Sequence, residues 1–215
     1  MDVLPFVPFR DATMEDADGL ARRVGRWLAD DLGVPVYLYA RSAVDPSRAP
    51  LPALRRGGWA GLPERLRALP PDYGPLAPHP TAGVSVVGAR GPLIAFNVSL
   101  ESNDLALARR IAARIREAGG GLPGVRALGL AMECGGCVQV SINITDPEAA
   151  TPAAVYGAVR DLATAEGVRV RDTELIGGIA LRYLVASHNE ALQGGIRISQ
   201  ILDAWLPPLF GTGEG

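Results

Sequence analysis

Two rhythms of apolar positions run along this chain, and each predicts elements. Val3, Leu4, Phe6 and Val7 open a short apolar stretch over residues 3–10 that two prolines punctuate, which predicts a strand suited to a sheet edge. Thr13 with Asp16 three residues on is a capping-box pattern, and Leu20, Val24, Leu28 and Leu32 follow at helical spacing up to Gly33, a C′ glycine. Residues 36–39 read as a strand of high β-propensity. Residues 41–79 lose all rhythm except for a short helix over 62–68. They predict either a surface wrap or a functional loop. The glycines at 83, 88 and 91 make residues 83–92 a loop-like segment, and the strand over 93–100 follows it.

From there the pattern is regular. Ser102 or Asn103 caps a helix with Leu105, Ala108, Ile111 and Ile115 on one face, and three consecutive glycines from Gly119 stop it. Residues 125–132 and 137–145 predict a hairpin. Thr151-Pro152 opens a helix striped by Val155, Val159 and Leu162, and a strand over 168–176 closes the series. The order βαββαβ predicts an α+β fold with a ferredoxin-like second half. The first half, a strand–helix–strand, reads as an incomplete α/β subdomain. The domains expected are therefore 1–92 and 93–180, with 181–215 as a tail, partly helical over 181–192 and 196–206 and disordered at its Gly/Pro-rich end.

Composition narrows the picture. The 215 residues are 48% apolar with a formal net charge of −2, enough for a real core and no footprint for nucleic acid. All 21 basic residues are arginine. No apolar run reaches the roughly 18 residues of a membrane span, and no signal-peptide pattern opens the chain, so a cytoplasmic location is expected. Cys134 and Cys137 have C-x-x-C spacing without two further ligands nearby, and read as residues of a hairpin turn with no metal.

The run Gly83-x-x-x-x-Gly88-Ala89-Arg90, then Leu93-Ile94-Ala95-Phe96-Asn97, resembles the folate-binding segment of glutamate formimidoyltransferases, the formiminotransferase domain of histidine degradation. Leu51 to Trp59, Val138-Gln139-Val140-Ser141-x-Asn143 and Glu174-Leu175-Ile176-Gly177 fall in the same order as in that family. The resemblance, which covers roughly residues 1–180, implies transfer of a formimino group from N-formiminoglutamate to tetrahydrofolate in one-carbon metabolism. It implies two ferredoxin-like halves with folate in a tunnel between them, and a homodimer. Gly83, Val84, Ser85, Val86, Val87, Gly88, Ala89, Arg90, Gly91 and Pro92 would then bind folate, while Arg90, Asn97 and Arg10 would meet the substrate.

The family's acid/base histidine belongs to a His-Pro-Arg motif that would lie upstream of Met1. His79 is a weak substitute, with a packing role as its alternative, and His188 reads as structural. Gly177-Gly178-Ile179-Ala180 departs from the family's Gly-Leu-Val-Pro. A cyclodeaminase domain, and with it a bifunctional enzyme, is not expected. Two other functions stay open: a non-catalytic folate or small-molecule binder, and one subunit of a split enzyme completed by a separate chain.

Overall fold

A computed structural model describes residues 2–55, 57–132, 136–185 and 196–205. The chain divides into two compact units, Met1–Gly91 and Pro92–Gly215, each described by itself. Helices and sheets occur in both, which makes the chain α+β.

Unit 1 contains β1 (Asp2–Phe6), α1 (Met14–Asp30), β2 (Val36–Leu38), α2 (Leu51–Arg55), α3 (Leu62–Ala68) and β3 (Ser85–Ala89). The three strands form a parallel sheet in the order β1-β3-β2, with Val3 opposite Val86 and Tyr37 opposite Val86. The segment expected to be a loop at 83–92 is thus the central strand. Parallel strands covered on both faces carry runs of small and branched apolar residues without alternation, so glycine and serine within the run do not mark a turn here. The first strand is also shorter than expected, ending at Phe6 rather than Arg10.

Both faces of this sheet are covered. Leu4, Phe6, Val36 and Val87 pack with Ala21 and Ala29 of α1. Val3, Tyr37, Tyr39, Val84 and Val86 pack with Leu54 of α2 and with Leu62 and Leu66 of α3. The irregular stretch at 41–79 therefore wraps the second face, and the short helix falls where its sequence placed it. Opposite faces are required because the crossover from β1 to β2 and the return from β2 to β3 run in opposite directions, and both keep one hand only that way.

Thr13 closes the predicted capping box with Asp16. The buried stripe of α1 is Ala17, Ala21, Gly25 and Ala29, however, while Leu20 and Leu32 stay exposed. Small residues win the inward face because the helix lies close to the sheet. A Cβ on Gly25 would stand 3.3 Å from the side chain of Val36.

Unit 2 contains β4 (Ile94–Leu100), α4 (Leu105–Ile115), β5 (Val125–Ala131), β6 (Val138–Ile144), α5 (Pro152–Ala165) and β7 (Val170–Ile176), then α6 (Leu181–Val185) and α7 (Leu202–Trp205). Its four strands are antiparallel in the order β5-β6-β4-β7. One face, with Phe96, Val98, Val140, Ile142 and Leu175, forms a single core with Ile111 of α4 and with Val155 and Val159 of α5. Thr151 caps α5 as expected, accepting from the Ala154 N–H at 3.2 Å. The cap of α4 is Asp104 rather than Ser102 or Asn103, because the helix begins at Leu105 and the cap must precede it directly. Ser102 instead accepts from the Asp104 N–H. After β7, the side chain of Gln200 donates to the carbonyls of Leu175 and Gly177 and ties residues 198–205 to the end of that strand. The expected helices over 181–192 and 196–206 are only five and four residues long where described. No described helix is long and apolar enough to cross a membrane.

Candidate functional site

Because the three strands of unit 1 are parallel, all their carboxyl ends reach one edge of the sheet. That edge is where open α/β sheets place ligands. Arg10 follows β1, Ala40 and Arg41 follow β2, and Arg90 follows β3. Two of these residues are held in left-handed backbone, Arg10 at φ 54° and Ala40 at φ 51°, a conformation that a residue with a Cβ adopts only where the surroundings impose it. The Arg10 guanidinium lies 5.4 Å from the centre of the Phe9 ring.

A polar network fixes this edge. Ser42 is fully buried, and its hydroxyl oxygen accepts the Ala89 N–H at 2.9 Å, the last amide of β3. The Ser42 carbonyl accepts from Arg22 at 3.0 Å, and Arg22 also pairs with Asp18 one helical turn earlier, at 3.0 Å. Partial burial pushes the Asp18 carboxyl up. Hydrogen bonding to Ser42 and Arg22, with the Arg22 and Arg41 charges, outweighs it and holds the group below the usual carboxylate range. The Arg90 amide donates to the Phe6 carbonyl at 3.0 Å, which extends the β1–β3 ladder by one step. Its half-buried guanidinium donates to the Gly91 carbonyl at 2.8 Å and pairs with no carboxylate among the described residues. A guanidinium in that state has N–H donors left for a carboxylate or phosphate ligand.

The glycines of the segment have another use. A Cβ on Gly88 would stand 2.2 Å from the Tyr39 carbonyl oxygen, and one on Gly83 would stand 2.5 Å from the Trp59 ring. Their smallness is used up by the protein's own packing.

Two family models match the chain. One described as "Formiminotransferase domain, N-terminal subdomain" matches residues 1–90, and one described as "Formiminotransferase domain" matches residues 95–193. The chain belongs to the formiminotransferase family. It is 39% identical over 186 residues to "Glutamate formimidoyltransferase" of Streptococcus pyogenes serotype M1, covering 86% of this chain and 62% of that protein. To the protein of the same name from Thermoplasma acidophilum it is 36% identical over 188 residues, with coverage again 86% and 62%. "Formimidoyltransferase-cyclodeaminase" of Mus musculus is 39% identical over 193 residues, 86% of this chain and 36% of that protein. The chain thus spans less than two thirds of the length of these relatives.

Within this formiminotransferase chain, the residues singled out from the sequence do not all come together. Arg10 and Arg90 follow adjacent strands of one sheet at its carboxyl edge. Residues 83–89 are all buried in unit 1, and the segment becomes half-buried only at Arg90, Gly91 and Pro92. Asn97 belongs to unit 2. It lies half-buried on the sheet face away from the helices and donates to Glu174 across the β4–β7 pair at 3.5 Å. A cleft of about 370 Å³ opens beside it, with Ser99, Gln139, Asp172 and Glu174 among its lining.

His79 sits in a turn ahead of β3, and Cys137 is buried at the start of β6. His188 and Cys134 lie outside the described residues. No three His, Cys, Asp or Glu side chains gather among the described residues to hold a metal. Ser42 and the Asp18–Arg22 pair escaped the sequence reading, since a lone serine in an irregular stretch carries no periodic signal.

Proposed function

We propose that this chain carries out, as part of a glutamate formimidoyltransferase, the binding of N-formiminoglutamate and tetrahydrofolate for formimino transfer. N5 of tetrahydrofolate would attack the amidine carbon of the donor, a new C–N bond would form, and the glutamate nitrogen would leave with a proton delivered to it. Arg90 would pair with a carboxylate of either substrate, Arg10 would help from β1, and Gly91 and Pro92 would line the approach. Residues 83–89 would act as the buried frame beneath them. In unit 2, taken by itself, Asn97 is the residue proposed to meet a substrate. The antiparallel order β5-β6-β4-β7 and the βαββαβ chain path support reading unit 2 as ferredoxin-like. A cytoplasmic homodimer fits the same reading.

The observation that carries this proposal is Arg90 at the carboxyl edge of the parallel sheet, held there by the hydrogen bond its backbone N–H donates to the Phe6 carbonyl, while its guanidinium keeps donors for an anion. Calorimetric titration of the chain with tetrahydrofolate tests it. Arg90→Ala should weaken binding by about 1.5–3 kcal/mol, the scale of a charge-assisted pair. Unchanged affinity would remove Arg90 from the site.

A further inference from the structure

The turn before β3 is closed by two reciprocal backbone bonds, His79 N–H to the Gly83 carbonyl at 2.8 Å and Gly83 N–H to the His79 carbonyl at 2.9 Å. Inside it, the Nδ1 atom of His79 accepts the backbone N–H of Thr81 at 3.3 Å and that of Ala82 at 3.1 Å. The Thr81 hydroxyl lies 3.3 Å from the same atom. This is the pattern in which an Asn or Asp side chain folds a turn over its own following amides. A backbone N–H can only donate, so the Nδ1 lone pair faces two donors and cannot also carry a hydrogen. In the neutral ring the hydrogen is then on Nε2, which leaves that nitrogen without a lone pair to accept a proton.

We infer that His79 is a positioning residue, a neutral Nε2–H imidazole whose Nδ1 folds the 79–83 turn and so sets where β3 enters the sheet, rather than the proton shuttle its neighbourhood suggests. Gly83, at φ 71° and packed under the Trp59 ring, follows directly. The next residue, Val84, accepts the Asp2 N–H at 3.2 Å, the bond that opens the β1–β3 ladder. The far end of the same strand is held by Ser42 on Ala89 and delivers Arg90. A strand pinned at both ends keeps one register, and a loosened turn lets its exit shift. The effect on ligand binding rests on the function proposed above, whereas the tautomer and the turn do not.

The test compares three variants of the full chain. His79→Asn keeps an acceptor at the atom beyond Cγ, His79→Gln keeps only a polar tip further out, and His79→Ala keeps neither. Tetrahydrofolate affinity should stay within about twofold for His79→Asn and fall about fivefold for the other two, the scale of a lost side-chain cap. Equal damage by Asn and Ala, or retention by Gln, would overturn the inference. Two readouts need no folate. Nitrogen NMR of labelled histidine at pH 8 should show the signal missing from His79→Asn as the Nε2–H tautomer, and an Nδ1–H signal would refute it. Hydrogen exchange at Thr81 and Ala82 should be slowed in the wild type and His79→Asn and fast in His79→Ala. Equal exchange in all three would also refute it. If the wild type fails to bind tetrahydrofolate while these two hold, the proposed function falls and the role of His79 in the turn stands.

Discussion

The two units solve the same burial problem in opposite ways. Unit 2 has four strands of seven residues each, antiparallel, and two capped helices on one face, so its core is assembled from the inward positions of the strands and from helical stripes. Unit 1 has strands of five, three and five residues, parallel and covered on both faces. Short parallel strands bring fewer ladder bonds and no hairpin, so unit 1 relies on side chains to finish its edges. Asp72 accepts the Leu38 N–H at 2.8 Å on the open side of β2 and pairs with Arg48 at 3.2 Å. Tyr37 donates to the Leu69 carbonyl at 2.6 Å, and burial pushes its phenol up. In this protein, regular pairing holds the larger sheet, while polar clasps hold the smaller one and the arginines at its edge.

That contrast breaks most sharply at two glycines. A Cβ at Gly129 would stand 2.4 Å from the Arg109 backbone nitrogen in α4, and one at Gly88 2.2 Å from the Tyr39 carbonyl oxygen. Neither neighbour is a flexible side-chain tip. Each alanine variant should lose about 3 kcal/mol or more, the upper end of overpacking costs. Hydrogen exchange followed along the chain should assign the loss to unit 2 for Gly129→Ala and to unit 1 for Gly88→Ala. A uniform loss over both units would mean that they unfold as one body.

The clasps should matter next. Asp72→Ala removes a carboxylate of which 8% is exposed and leaves both Arg48 and the Leu38 amide without it. The expected cost is about 2 kcal/mol in denaturant unfolding, because buried donors lose an acceptor that water cannot fully replace. A loss under about 0.5 kcal/mol would show that β2 holds its place without this clasp.

The smallest effect is at the start of α1. Hydrogen bonds from Thr13 lower the Asp16 carboxyl below its ordinary value. A group lowered in the folded state contributes fully above its unfolded pKa, about 3.9, and its contribution fades as pH falls through the folded value. Acid titration below pH 4, followed by exchange at residues 14–17, should loosen this turn, and Thr13→Ala should remove most of that acid dependence. An unchanged titration in the variant would refute it.

Periodicity and capping chemistry determined most of unit 2, though not the Asp104 cap of α4 or the short helices after β7. The helix faces at Ala108, Ile111 and Ile115, the Thr151 cap and the hairpin strands were all legible, because antiparallel strands and amphipathic helices leave their period in the sequence. Only tertiary structure decided unit 1. Residues 85–89 became a strand because two layers cover them, and Gly88 is there for the carbonyl of Tyr39, a partner 49 positions away that no local pattern reveals. The inward face of α1 went to alanines for the same reason, since distance to the sheet outweighed hydrophobicity. Arg90 could be picked out in the sequence as a cation beside glycines. Its place beside β1, and the buried serine that holds its strand, depend on contacts between distant residues and arise only when the chain folds.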